Sequence, residues 1–233
     1  MAGHSQFKNI MYRKGAQDAK KAKIFAKISR EIMVAAKTGL PDPQFNPRLR
    51  SALSCAREAN MPNDNIDRAL KKAIGDGDGH QYENMRYEGY GPNGIAFIIE
   101  TLTDNRNRTA SEIRSIFSKF GGNLGETGSV TFLFEHLGFF FFKKETSFDE
   151  IFQAAIEADA DHVEEDEDGY SVYCKPESFQ HVRDTLINIP GLVESKLIFK
   201  PLTSIPCPDV HKIFDTFEDN DDVQQVYTNG SPE

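Results

Sequence analysis

The stretch FFFFKKETSFDEIFQAAIEADADHVEEDEDGYSVYCKPESFQHVRDTLINIPGLVESKLIF, residues 139–199, decides the fold. Its periodicity predicts six elements in a row: strand Phe139 to Lys143, helix Phe148 to Ala158, strand Asp161 to Glu165, strand Tyr170 to Cys174, helix Pro176 to Ile187 and strand Val193 to Phe199. The order βαββαβ is the ferredoxin-like arrangement. Alternation around Val163, followed by Asp168-Gly169 and Tyr170-Ser-Val-Tyr173, makes its second and third strands an acidic edge hairpin.

Outward from this unit, both flanks hold elements with no domain of their own. Downstream are a helix from Pro208 to Phe217 and a strand from Val223 to Tyr227. Upstream, Met85 to Tyr90 and Ile95 to Thr103 read as strands joined through Gly91-Pro-Asn-Gly94. Thr109 and Glu112 read as a capping box for a helix packing Ile113, Ile116 and Phe117. Gly121-Gly122 ends that helix, and Ser129 to Glu135 returns as a strand. The two flanks complete one sheet if the ferredoxin-like unit is inserted between them.

Before these lies Gly75-Asp-Gly-Asp-Gly79, a linker. Ahead of it the period is helical throughout. Gln17 to Lys37 places Ile24, Phe25, Ile28, Ile32 and Ala35 on one face. Gly39 and Pro41 stop that helix. Asn46-Pro47 caps a second helix packing Leu49, Ala52, Leu53 and Ala56, and Pro62 opens a third through Ile66, Ala69, Leu70 and Ala73. The expected fold is α+β and multidomain: a three-helix bundle over residues 1–75, a discontinuous α+β domain over 80–136 plus 200–229, and a ferredoxin-like α+β domain over 137–199.

The linker also marks a change in charge sign. Residues 1–73 hold 15 Lys and Arg against 6 Asp and Glu, while residues 74–233 hold 12 against 30. The net charge of −9 therefore hides a basic module on an acidic body. Such a module seeks polyanions, of which phosphate backbones are the commonest. Lys8, Arg13, Lys14, Lys20, Lys21, Lys23, Lys27 and Arg30, interleaved with Phe7 and Tyr12, are the candidate nucleic-acid contacts. Arg106 and Arg108, beside a helix N-terminus, are secondary candidates whose bland alternative is a hydrogen-bonded turn. Sequence reading of duplex DNA needs base-edge contacts, and Asn9, Arg13, Lys14 and Gln17 are a thin supply.

Other motifs point away from catalysis. Gly89-Tyr-Gly91-Pro-Asn-Gly94 fits GxGxxG, but a strand follows it instead of a helix, and Pro92 lacks an amide donor. Gly121 to Ser129 links a helix to a strand, the reverse of a phosphate-binding loop. A hydrolase or transferase using that loop and Glu126 is the minor alternative. The acidic run Glu157 to Asp168 fails the calcium-loop register, and the six histidines show no ligand spacing. No cofactor or metal is expected, and the chain reads as a non-enzyme. Cys55, Cys174 and Cys207 read as reduced thiols of a cytoplasmic protein, and no apolar run reaches membrane-spanning length.

Several long strings resemble the YebC/PmpR family, whose mitochondrial relative is the translational activator of cytochrome c oxidase. They are Met1-Ala-Gly-His-Ser5, Ala16-Gln-Asp-Ala-Lys20 after Arg13-Lys14, Asn46-Pro-Arg-Leu-Arg50, Asn60-Met-Pro62, Asp64-Asn-Ile66, Arg86-Tyr-Glu-Gly-Tyr-Gly-Pro92, Leu102-Thr-Asp-Asn-Arg-Asn-Arg-Thr109 and Gly121-Gly-Asn-Leu-Gly-Glu-Thr-Gly-Ser-Val130. The resemblance implies one helical and two α+β domains, no catalytic residues and a role in gene expression. Bacterial members are described as DNA-binding transcriptional regulators, others as translation factors on stalled ribosomes. The expectation is thus a nucleic-acid-binding transcriptional regulator, with a ribosome- or RNA-associated translation factor as the alternative. In either case the acidic domains face solvent or a protein partner. Gln6, Phe7, Met11 and Tyr12 depart from the family's opening pattern and remove two positive charges from the arm, partly offset by Lys8. The absence of an Arg/Ser-rich transit segment argues for the bacterial cytoplasm.

Overall fold

The computed structural model describes residues 17–75 and 81–232, with residues 17–20 as helical backbone only. Helices α1 (Gln17–Thr38), α2 (Pro47–Glu58) and α3 (Asn63–Ile74) form the first unit. Its core is Ile32, Ala35, Leu49, Ala52, Ala56, Met61 and Ala69. Alanines at these contacts let the helix axes approach closely. Asn46 closes two helix ends at once. Its Oδ1 accepts from the Leu49 amide at 3.0 Å, while its Nδ2 donates to the carbonyls of Ala35 and Leu40, each at 2.8 Å. Of the apolar face expected for α1, Ile24 lies beyond this core and is 45% exposed.

The rest of the chain runs β1 (Glu83–Tyr90), β2 (Ala96–Thr103), α4 (Arg106–Lys119), β3 (Asn123–Leu124), β4 (Phe134–Lys143), α5 (Phe148–Glu157), β5 (His162–Glu165), β6 (Gly169–Cys174), α6 (Phe179–Leu186), β7 (Leu192–Pro201), β8 (Ile205–Pro206), α7 (Val210–Glu218), β9 (Val223–Thr228) and β10 (Gly230–Ser231). One antiparallel sheet has the order β3-β1-β2-β9, and another has the order β5-β6-β4-β7. The second order, with helices α5 and α6 between its strands in sequence, is ferredoxin-like. In the first sheet β9, which follows that unit in sequence, pairs with β2 from Phe97↔Thr228 to Thr101↔Val223.

The two sheets share a core. Phe97 and Ile99 of β2 pack on α4 and α7 with Phe117, Phe214 and Phe217. Ala96 and Ile98, on the other face of β2, meet Phe139, Phe141 and Ile198 of the second sheet. Phe140 and Phe142 then face α5 and α6 through Ile151, Val182 and Leu186. The layers are helices, sheet, sheet, helices. This explains the four consecutive phenylalanines: side chains alternate across a strand, and both faces of β4 are covered.

Two local expectations are corrected. Ser129 to Glu135 is not a separate strand: Thr131–Leu133 is a 3-10 turn, and Phe134 opens the long strand β4. The reason is Glu88, a buried side chain whose carboxylate accepts from the amides of Gly128 (2.9 Å), Val130 (2.9 Å) and Thr131 (3.1 Å). Those amides have no donor left for a strand ladder. Burial favours the neutral acid, but the amide bonds outweigh it and hold the Glu88 pKa below the ordinary value. The end of the Gly121 to Ser129 loop, Gly128 together with Val130 and Thr131 just beyond it, is thus an amide nest already filled by the chain's own carboxylate.

The second correction concerns α4, which starts a turn earlier than the capping box implied. Asn105 is its cap and accepts from the Arg108 amide at 3.1 Å. Thr109 lies inside the helix as a buried hydroxyl.

Candidate nucleic-acid interface

On α1, residues 23, 27 and 30 recur at helical spacing and form one stripe. The stripe is not open surface, although Lys23 keeps 43% of its side chain in solvent. It lies against Glu218-Asp-Asn-Asp-Asp222, the turn that ends α7. Lys23 Nζ is 2.8 Å from Asp219 Oδ1 and 3.2 Å from its carbonyl. Lys27 Nζ donates to the Glu218 carbonyl at 2.9 Å, and Arg30 donates to the Asp221 carbonyl at 2.8 Å and the Leu102 carbonyl at 3.2 Å. A helix C-terminus leaves unpaired carbonyls and the negative end of its dipole, so it suits cations. Burial lowers the Lys27 pKa from the usual lysine value, and the Glu218 charge opposes that shift without cancelling it.

Asp222, 4% exposed, anchors the contact. Its Oδ1 accepts from Arg30 at 3.1 Å. Its Oδ2 lies 2.7 Å from the Arg108 guanidinium, 2.7 Å from the Thr109 hydroxyl and 3.2 Å from the Thr103 hydroxyl. Burial works to raise the Asp222 pKa, yet the bonds from Arg108 and Thr109 and the nearby positive charges hold it below the ordinary carboxylate value. Arg48 adds a bidentate pair to Glu31, at 2.6 and 3.0 Å, and reaches Asn84 of β1 at 3.2 Å. Arg183 of α6, buried, donates to Ser51 of α2 at 3.1 Å. The helical unit is therefore tied to both sheets.

The sequence candidates divide accordingly. Lys8, Arg13 and Lys14 lie outside the described residues, and Lys20 is described as helical backbone only. Lys21 is exposed. Lys23, Lys27 and Arg30 are engaged by the acidic turn, not displayed with Lys21 as one open surface. Arg108 pairs with Asp104 at 2.9 Å as well as with Asp222, which makes it part of the fold. Arg106 stays mostly in solvent, with Glu83 at 3.8 Å.

Another cationic surface went unread in the sequence. Arg57, Arg68, Lys71 and Lys72 are exposed. Arg68 and Lys72, four residues apart on α3, border an open groove of about 420 Å³ against α1, lined also by Ala26, Ala69 and Tyr82. The signal was present as an i, i+4 basic pair on the polar face of the third helix. Among the described residues, no group of three or more His, Cys, Asp or Glu is arranged to hold a metal ion. No helix among them is long and apolar enough to cross a membrane.

This architecture can be set against known proteins. Residues 5–76 match the TACO1/YebC N-terminal domain, and residues 82–230 match the TACO1/YebC second and third domain. The chain belongs to the TACO1/YebC family. The family model for the second and third domains is named for transcriptional regulators. A conserved hypothetical protein from Aquifex aeolicus, known from a crystal structure, is 41% identical to this TACO1/YebC chain, with 95% of each chain covered and a TM-score of 0.83. The helical unit followed by antiparallel sheets is the fold of this family.

Proposed function

We propose that this TACO1/YebC protein regulates gene expression by binding nucleic acid through its helical domain, without catalysing a reaction. One observation carries the reading: a basic helical unit, with Lys21, Arg57, Arg68, Lys71 and Lys72 open to solvent, stands on a body of opposite charge. Cations placed this way attract phosphates and release their counterions, while the acidic sheets keep the body off the polyanion and leave a face for protein partners.

Between promoter DNA and ribosomal or transfer RNA, the docking of α1 favours RNA. Reading duplex DNA needs a helix whose exposed face carries base-edge contacts into the major groove. The Lys23–Arg30 stripe is turned to the acidic turn, and the polar face of α3 offers Asp64, Asp67, Arg68, Lys71 and Lys72. That set reads charge and shape, which suits folded RNA with unpaired bases.

Crosslinking in cells, followed by sequencing of the bound nucleic acid, tests the choice. Recovery of mainly ribosomal and transfer RNA is expected; recovery of discrete promoter DNA would replace this reading with the transcriptional one.

A further inference from the structure

We propose that the groove between α1 and α3 is a binding site for a single-stranded nucleic-acid segment, with Arg68 and Lys72 on the phosphates and Tyr82 stacking on an unpaired base. The inference rests on the nucleic-acid reading above and assigns it a place and a ligand form.

Small side chains, Ala26 of α1 and Ala69 of α3, are among the residues lining this open trough of about 420 Å³. Its rim is cationic. Among the described residues the Arg68 guanidinium is held by neutral acceptors, the Asp64 carbonyl at 3.1 Å and Asn65 Oδ1 at 2.9 Å. Such bonds orient the fork without neutralising it. Among the described residues, neither Arg68 nor Lys72 has a carboxylate within ion-pair range. Arg30 at the far wall is compensated by Asp222, so the local excess is that of the α3 pair.

Tyr82 supplies the second element of the site. Its ring is half-buried in the groove wall, with the Arg30 guanidinium 5.4 Å from its centre. An aromatic ring lining the same groove as two cations that have no carboxylate partner among the described residues fits the pattern by which proteins hold unpaired strands: phosphates meet charge while a base stacks on the ring. A duplex could use the two cations but has no free base for Tyr82. That difference separates this site from a general cationic patch.

The test measures fluorescence anisotropy of the full chain with a labelled oligouridylate and with an RNA duplex of equal length, over a series of salt concentrations. The Arg68→Ala/Lys72→Ala double variant is expected to weaken binding to both probes and to lower the oligouridylate salt slope by about 1.4. Tyr82→Leu is expected to lose about tenfold on the oligouridylate and little on the duplex, with Tyr82→Phe close to wild type. Thermal melts identify any variant that fails to fold.

If the wild type binds RNA and the double variant binds it with unchanged slope, the groove assignment is overturned and the nucleic-acid reading stands. If Tyr82→Leu weakens both probes equally, the base contact is overturned. Failure of the wild-type protein to bind either probe at low salt would overturn both readings together.

Discussion

The same helical unit presents two cationic faces with opposite fates. On α1, Lys23, Lys27 and Arg30 meet carboxylates and carbonyls of Glu218 to Asp222. On α3, among the described residues, Arg68 meets neutral acceptors and Lys72 is exposed. The residue types and helical spacing are alike, and the difference comes from what the chain folds against each face. An excess of positive charge in sequence therefore signals that an anionic partner is needed, without saying whether that partner is another molecule or the other end of the chain.

The largest effect that can break this contrast comes from Asp222. Asp222→Ala leaves Arg30 and Arg108 without their shared carboxylate and removes one of the acceptors within reach of the Thr109 hydroxyl. A loss of about 3 kcal/mol is expected, at the low end for a broken buried pair because Arg108 is 44% exposed. Urea unfolding measures it. With α1 released, its cations join those of α3, so the salt dependence of RNA binding is expected to steepen.

The pH dependence carries a definite sign. The folded pKa of Asp222 lies below its unfolded value of 3.8. Its contribution is therefore complete above that pH and is lost as pH falls through the folded value. The gap between wild type and Asp222→Asn is expected to close in strong acid.

The smallest effect comes from Lys23, where both partners are largely in solvent, at 43% and 67% exposure. Lys23→Ala is expected to change stability by less than about 1 kcal/mol, and added salt is expected to shrink that difference further. A larger loss would mean that the rim of the contact, and not Asp222, holds α1 in place.

Much of this fold was legible from local pattern. The βαββαβ order, the Asn46 cap and the three helices follow from periods and turn residues within a few positions of one another. The four-phenylalanine run was visible too, but its meaning was not, because a strand covered on both faces requires knowing that a second sheet lies across it. The capping box at Thr109 misled because Asn105, one turn earlier, also fits an N-cap, and because Thr109 bonds to Asp222 from a distant segment. The docking of α1 was illegible for the same reason. Lys27 and Glu218 are 191 residues apart, and nothing near either one marks the other. The α3 pair was within reach of sequence reading, since its four-residue spacing was there to be seen.

The most direct test of the contrast is amine-acylation footprinting of the folded chain, read lysine by lysine by mass spectrometry with and without bound RNA. The account predicts that free protein reacts quickly at Lys72 and slowly at Lys27, where burial and the Glu218 contact restrict access by more than the lowered pKa favours reaction, and that RNA protects Lys72 while leaving Lys27 unchanged. Equal reactivity of the two lysines in free protein, or protection by RNA that falls on Lys27 and spares Lys72, would contradict it.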